Sequence, residues 1–199
     1  MKKLDEFNNL KTPEELMIFM SNSIEYGCMD NEGNIYREDM DLIKSKLQLI
    51  SISDMLGNRV GTCLEQVELE RAFFTNNNHP LKTFAMKVYK DKELAEEDSV
   101  RIHCVLIFFN NDTPYIFEHS WEDYRGIAKF ESIEAIFAHL VSRYETWTEV
   151  LEKGYKYYKI IEYDKPPLGI NFAELKEFLN LYPPVVIGEI NKNNKSITV

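Results

Sequence analysis

Cys63 stands directly behind Gly61-Thr62 and directly ahead of a run, "CLEQVELERAFF", that reads as a helix. A thiol at a helix start meets unpaired amide N–H groups and the positive end of the helix dipole, and both favour thiolate over thiol. A sulfur nucleophile also needs a base to take its proton, and imidazole does this best when a carboxylate fixes its tautomer and stabilises the imidazolium. His103 in "VRIHCVLIFF" and Glu118 in "PYIFEHSW" supply those two chemical types. Whether they meet depends on how the segments carrying them pair.

"VRIHCVLIFF" is a nearly continuous apolar run, as expected for a central strand covered on both faces. "NNDT" turns the chain, and "PYIFEHSW" returns as a second strand with Pro114 at its first position, where a missing N–H does least harm. With an even number of residues in the turn, Phe109 lies opposite Pro114 and His103 opposite Ser120. Glu118 is then on the same face as His103, one diagonal step away at about 7 to 8 Å between backbones, a gap the two side chains can bridge. In this register Cys104 pairs with His119 on the other face. An odd-length turn brings His103 opposite His119 and sends Glu118 away, so the register decides the triad.

The elements around this hairpin are mostly legible. Thr12-Pro13-Glu14-Glu15 is a capped helix opening that leads into "LMIFMSNSI". "GCMDNEGNIYRED" is rich in turn formers, and a second helix is expected over "MDLIKSKLQLI". After Cys63 the apolar residues Leu64, Val67, Leu69, Ala72, Phe73 and Phe74 point around more than one side at helical spacing, which predicts a buried helix. "TNNNHP" stops it and "TFAMKVYK" reads as a strand, followed by "DKELAEEDS" as a loop or short exposed helix. Ser132 opens a helix with Ile133, Ile136, Phe137, Leu140, Val141 and Tyr144 on one face. "YKYYKIIEYD" reads as a strand, Asn171 with Glu174 caps a last helix through "FAELKEFLN", and residues 181–199 are expected as an exposed tail. Helices first and an antiparallel sheet afterwards predict an α+β fold in a single domain over 1–199, with a helical lead-in over 1–50 and a core over 51–180.

Bulk composition narrows the partners. Lys and Arg number 23 against 33 Asp and Glu, and a net charge of -10 repels phosphate backbones and anionic membranes, so neither nucleic acid nor membrane is expected as a partner. "MKKLDEFNNL" has no apolar stretch long enough for a signal peptide or a span, and a cytoplasmic location is expected. Three cysteines, Cys28, Cys63 and Cys104, lack the spacing of a disulfide framework or zinc ribbon and read as free thiols. Glu65, Glu68 and Glu70 cut against a low thiol pKa unless they point elsewhere or pair with Arg71, which Glu68 reaches at i+3.

These residues resemble the transglutaminase-like superfamily, the branch of papain-like cysteine enzymes in which Cys begins a buried helix and His and Asp follow on adjacent strands. The separations are 103 − 63 = 40 residues from cysteine to histidine and 118 − 103 = 15 from histidine to acid. "GTCLEQVELER" and "IHCVLIFFNNDTPYIFEHSWEDYRGI" look like a bacterial group within that superfamily, over roughly residues 50 to 145. The resemblance implies a central nucleophile helix packed on an antiparallel sheet, with Cys63 as nucleophile, His103 as general base and then acid, and Glu118 as orienting group. It calls for no cofactor. The third member is usually Asp, and Leu64 stands where many relatives place an aromatic. "HSW" at His119 mimics the "H-x-W" that often surrounds the catalytic histidine, so His119 is an alternative base at 119 − 63 = 56 residues from Cys63.

An enzyme of this kind hydrolyses a peptide or isopeptide bond, deamidates glutamine, or joins glutamine to an amine through a shared thioester, with a peptide or protein as substrate. Hydrolysis is favoured because water is the default acceptor. The competing reading is a non-catalytic peptide- or protein-interaction module on the same fold. A zinc site from Cys63, His103, His119 and Cys104 is disfavoured because successive strand residues point to opposite faces. "RGIAKF", "EDYRG" and "YETWTEVLEKGYKYYKI" are candidate linings of a peptide groove, though aromatics so spaced also suit a core.

Overall fold

The computed structural model describes residues 2–90, 100–147, 150 and 152–190. Helices α1 (Lys2–Asn9), α2 (Pro13–Ser23), α3 (Met40–Lys46) and α4 (Ile52–Asn58) precede α5 (Cys63–Asn76). Strands β1 (Glu25–Tyr26), β2 (Cys28–Met29), β3 (Ile35–Tyr36) and β4 (Val60–Gly61) are interleaved with them, β1 pairing parallel with β4 and β2 antiparallel with β3. The rest is built around strands β5 (Leu81–Tyr89), β6 (Arg101–Asn110), β7 (Thr113–Glu118), β8 (Gly126–Lys129), β9 (Tyr157–Glu162) and β10 (Pro184–Glu189), with helices α6 (Ile133–Thr146) and α7 (Phe172–Asn180). The six strands form one antiparallel sheet in the order β10-β9-β5-β6-β7-β8, and the fold is α+β. Among the described residues no helix is long and apolar enough to cross a membrane.

Alternation along the strands divides the core into two layers. Ala85, Cys104, Leu106, Phe108 and Phe117 face α5 and pack with Leu64, Val67, Leu69, Phe73 and Phe74. Phe84, Met86, Val105, Ile107 and Ile116 face the other way and pack with Ile136, Phe137, Leu140 and Tyr144 of α6. Each fully buried Leu, Ile or Phe contributes about 1.5–3 kcal/mol through removal from water, so α5 is held by its own apolar surface as well as by its caps. Every residue from Cys63 to Glu70 is buried, as the all-round apolar pattern predicts.

The hairpin has the even register. Asn110 pairs with Thr113, Phe109 with Pro114 and Leu106 with Phe117, around a two-residue turn. Asn111 and Asp112 both take positive φ, 49° and 61°, the type I′ geometry that matches strand twist and that Asn and Asp tolerate. Capping boxes stand at Thr12 with Glu15, Thr62 with Glu65, and Asn171 with Glu174.

Two expectations are corrected. The helix expected over "MDLIKSKLQLI" ends at Lys46, and Leu47 and Leu49 continue as extended chain with both side chains buried at period two, while Gln48 bridges to Asn171. Residues 184–189, expected within an exposed tail, add β10 to the sheet edge, with Pro184 at the strand start. Its side chains remain largely exposed, Val185 and Ile187 among them. The "DKELAEEDS" segment and residues 191–199 lie outside the described residues.

Candidate active site

The sulfur is delivered by local structure. β4 ends at Gly61, Thr62 caps the helix by accepting from the Leu64 N–H, and Cys63 is the first helical residue. Glu65 completes the box, its carboxylate accepting from the Thr62 N–H at 2.9 Å and from the Thr62 hydroxyl. Gly61 is needed for space: a Cβ there would stand 2.7 Å from Met55 Sδ and 3.2 Å from the Glu65 Cβ. The Cys63 N–H, at the first helical position, has no acceptor within the helix.

The Cys63 thiol lies against β6, 3.9 Å from the Ile102 carbonyl oxygen, and lines one cavity with His103 and Cys104. Beside these residues β6 is no longer paired with β7, whose last pair with it is Leu106 with Phe117, leaving an opening between the strands. His103 and Glu118 meet across this opening: His103 Nε2 is 2.7 Å from Glu118 Oε2. With Nε2 so engaged, Nδ1 is the nitrogen left for the sulfur. The other Glu118 oxygen accepts from the Ser120 hydroxyl and from the Trp121 N–H, each at 3.0 Å. Arg143 Nη1 stands 3.9 Å from Oε2, and its guanidinium lies over the Tyr124 ring at 4.1 Å. The Trp121 ring abuts the imidazole edge-on, its centroid 5.3 Å away.

These contacts set the protonation states. Hydrogen bonding from Cys104 pulls the Cys63 thiol well below its ordinary pKa; burial opposes this, and the His103 imidazole assists by hydrogen bond and charge. For His103, burial opposes the charged form, but the Glu118 carboxylate and the hydrogen bonds to Cys63 and Glu118 outweigh it and raise the imidazole to about 10. Burial would raise Glu118, yet the His103 charge and hydrogen bonds from His103, Trp121 and Ser120 hold it below the usual carboxylate value. These directions favour thiolate, imidazolium and carboxylate at the three groups.

The acidic residues that threatened the thiolate are largely neutralised. Burial lifts Glu65 to about 7 and Glu70 well above the normal range. Glu68 pairs with Arg71, Nε to Oε1 at 3.2 Å, as the i+3 spacing predicts. Only weak carboxylate charge therefore faces the sulfur at neutral pH.

His119 is placed elsewhere. Its Nδ1–H donates to Gln66 Oε1 at 2.7 Å, and Gln66 in turn donates to the Gly61 carbonyl at 2.8 Å. Burial and the Arg125 charge lower it to about 4, so it is neutral, and it does not line the cavity that holds Cys63 and His103. Cys104 and His119 do not pair, because the ladder ends before them. Cys28 is buried apart, donating to the Ile43 carbonyl, and burial raises it to about 11. Among the described residues no group of three His, Cys, Asp or Glu side chains is placed to hold a metal ion.

The site opens into a cavity of about 200 Å³ walled by Tyr26, Trp121, Tyr144, Trp147 and Phe172, with Cys63, His103 and Cys104 at its floor. Trp147 was marked only as one aromatic in a mixed run. Gln66, Arg143 and Glu70 had no signal, since polar residues on buried faces break the pattern that locates buried faces.

No protein-family model matches the chain, and no curated protein matches it. Among solved structures it is similar to arylamine N-acetyltransferase C from Bacillus anthracis, at 13% identity over 91% of this chain and 75% of that one, with a TM-score of 0.44. It is also similar to an arylamine N-acetyltransferase from Bacillus cereus described as having a Cys-His-Glu catalytic triad, at 13% identity over 85% of this chain and 67% of that one, with a TM-score of 0.40.

Proposed function

We propose that the protein is a cysteine-dependent acyl-transfer enzyme that forms a thioester on Cys63. The observation that carries this reading is that Cys63 and His103 line one aromatic cavity while His103 Nε2 bonds a Glu118 whose other oxygen is also hydrogen-bonded. Cys63 Sγ attacks the substrate carbonyl, the oxyanion is met by the Cys63 N–H, and imidazolium gives its proton to the leaving group as the carbonyl re-forms. Neutral His103 then takes a proton from the acceptor, whose oxygen or nitrogen attacks the thioester and releases thiolate. Glu118 keeps the ring oriented and stabilises its charged form through both halves.

Water is the default acceptor, and the reaction is then hydrolysis of an amide. At about 200 Å³ the cavity is smaller than the roughly 300–1,000 Å³ of sites that enclose whole drug-sized ligands. It takes the acyl end of a substrate, such as a side chain or terminus presented by a peptide, with the remainder outside.

The test is acylation by a panel of activated esters and peptide amides, read as an intact-mass adduct and mapped to its residue. The expected adduct is on Cys63, absent in Cys63→Ala and at least about 100-fold slower in His103→Ala. Adding amines to the isolated acyl-enzyme separates transfer from hydrolysis. An unmodified Cys63 across the panel, or an adduct rate unchanged by His103→Ala, overturns the reading.

A further inference from the structure

The second thiol of the site has no part in acyl transfer. Cys104 is on β6, one residue past His103, and lines the same cavity as Cys63, whose sulfur lies 3.9 Å from the carbonyl oxygen of Ile102 on that strand. Both cysteines belong to the core layer between α5 and the sheet. Cys28, the remaining cysteine, is bonded to the Ile43 carbonyl and lines no part of this cavity. A nucleophilic sulfur with a second thiol in contact is the arrangement that converts oxidation of the first into a disulfide.

We propose that Cys104 is a resolving thiol for Cys63: a hydroperoxide entering the cavity oxidises Cys63 to a sulfenic acid, and Cys104 closes it as an intramolecular disulfide. In the first step the Cys63 thiolate forms an S–O bond to the distal peroxide oxygen as the O–O bond breaks. The hydroxide released from hydrogen peroxide, or the alkoxide from an organic hydroperoxide, takes the His103 proton and leaves as water or an alcohol. Sulfur loses two electrons and the peroxide gains them. In the second step neutral His103 takes the Cys104 proton, the Cys104 sulfur forms the S–S bond as the Cys63 S–O bond breaks, and the departing hydroxide recovers that proton as water. A cellular dithiol reverses the change, giving two hydrogens to the disulfide and becoming a disulfide itself. The order of events is favoured by charge. The Cys63 thiolate holds the Cys104 proton in place by hydrogen bond and repulsion, and that hold is lifted once Cys63 has become a neutral sulfenic acid. The disulfide withdraws the nucleophile while protecting it from the irreversible sulfinic state.

This inference rests on the reactive Cys63 of the acyl-transfer reading. Full-length protein is exposed to a small molar excess of hydrogen peroxide, blocked with N-ethylmaleimide and mapped unreduced by mass spectrometry. The expected product is a Cys63–Cys104 linked peptide, reversed by dithiothreitol. In Cys104→Ala and Cys104→Ser the expected product is a dimedone-trapped sulfenic acid on Cys63, which passes to sulfinic acid at least about fivefold faster than in the wild type. Wild-type protein that gives the dimedone adduct or sulfinic acid without a linked peptide overturns the proposal, whatever the variants do. Iodoacetamide labelling separates the two readings: a Cys63 that labels but forms no bond to Cys104 removes only the redox device, while one inert to both reagents removes acyl transfer as well.

Discussion

His103 and Glu118 bond at 2.7 Å across a gap where their strands have ceased to pair. The last ladder pair is Leu106 with Phe117, and beyond it β7 pairs only with β8, Glu118 opposite Gly126. The imidazole and carboxylate thus close an opening that the backbone leaves. A carboxylate one methylene longer than Asp has the reach for this gap.

The first prediction concerns the pH dependence of the sulfur. An ordinary thiol of pKa about 8.5 alkylates roughly tenfold more slowly for each pH unit below that value. Cys63 is held well below its ordinary value by Cys104 and His103, so its thiolate persists as pH falls. Iodoacetamide labelling of Cys63 is expected to stay nearly level from pH 9 to pH 7, at a rate per thiol that Cys28 and Cys104 do not approach. A tenfold drop per unit over that range counts against the ion pair.

Glu118→Gln is expected to lower the Cys63 labelling rate at pH 7 by about tenfold or more, because His103 loses the charge that raises it to about 10. Linkage adds a second readout. His103 is raised on folding, so its contribution to stability is full below the ordinary imidazole value and lost as pH rises through about 10. Glu118 is lowered on folding, so its contribution is present above the ordinary carboxylate value and lost as pH falls through its lowered one. The difference in urea midpoint between wild type and Glu118→Gln is therefore expected to be greatest near neutrality and to shrink on both sides.

The sequence leaves the hairpin register open between an even and an odd turn; Asn111-Asp112 in a type I′ turn makes it even, and that register places Glu118 within reach of His103. The Cys63 helix was readable from Thr62 and from apolar residues all round it. What could not be read is how β6 and β7 part, since separation of strands leaves no periodicity behind. Alternation puts Cys104 in the layer facing α5, where it is found with Cys63, but it does not show that His103 lines the same cavity. β8 is four residues long and β1 to β4 two each, too short for a pattern, although β4 aims Gly61-Thr62-Cys63. Whether burial would leave Glu65 and Glu70 charged beside the sulfur depends on desolvation by neighbours distant in the chain, which spacing does not encode.

Glu65 offers a test with the opposite pH sign. Burial raises it to about 7 on folding, so the folded protein binds a proton that the unfolded chain releases above the ordinary carboxylate value. The associated stability is full in acid and lost progressively as pH rises toward and through about 7. Glu65→Gln keeps a side-chain acceptor for the Thr62 N–H without the ionisation. Its urea midpoint relative to wild type is expected to rise between pH 5 and pH 8, and a falling difference would show that the carboxylate is favoured in its charged form.

His119 separates structural from chemical roles. Its neutral ring donates to Gln66, which holds the Gly61 carbonyl behind the helix start. His119→Ala leaves the buried Gln66 oxygen without its donor, and a loss of about 1–3 kcal/mol of unfolding free energy is expected from denaturant titration. Labelling of Cys63 in the folded fraction is expected to change by less than about threefold, because His119 does not line the cavity that Cys63 shares with His103. Loss of labelling in His119→Ala with labelling retained in His103→Ala would exchange the two assignments.

Gly61→Ala tests the packing that aims the sulfur. φ at Gly61 is not in the left-handed range, so the demand is for space alone. The added methyl would press on Met55, itself fully buried, and on the Glu65 Cβ at 3.2 Å, which belongs to the helix backbone's first turn and cannot swing aside as a long side chain would. Overpacking of this kind costs about 1–3 kcal/mol. Relief by moving the start of α5 shifts Cys63 relative to β6, where Ile102, His103 and Cys104 contact it. Gly61→Ala is therefore expected to lower both the unfolding midpoint and the Cys63 labelling rate at pH 7. Met55→Ala in the same chain vacates the contested volume and is expected to restore labelling more than stability, because the buried cavity it leaves carries its own cost. Labelling equal to wild type in Gly61→Ala would mean that the approach of β4 does not aim the thiol.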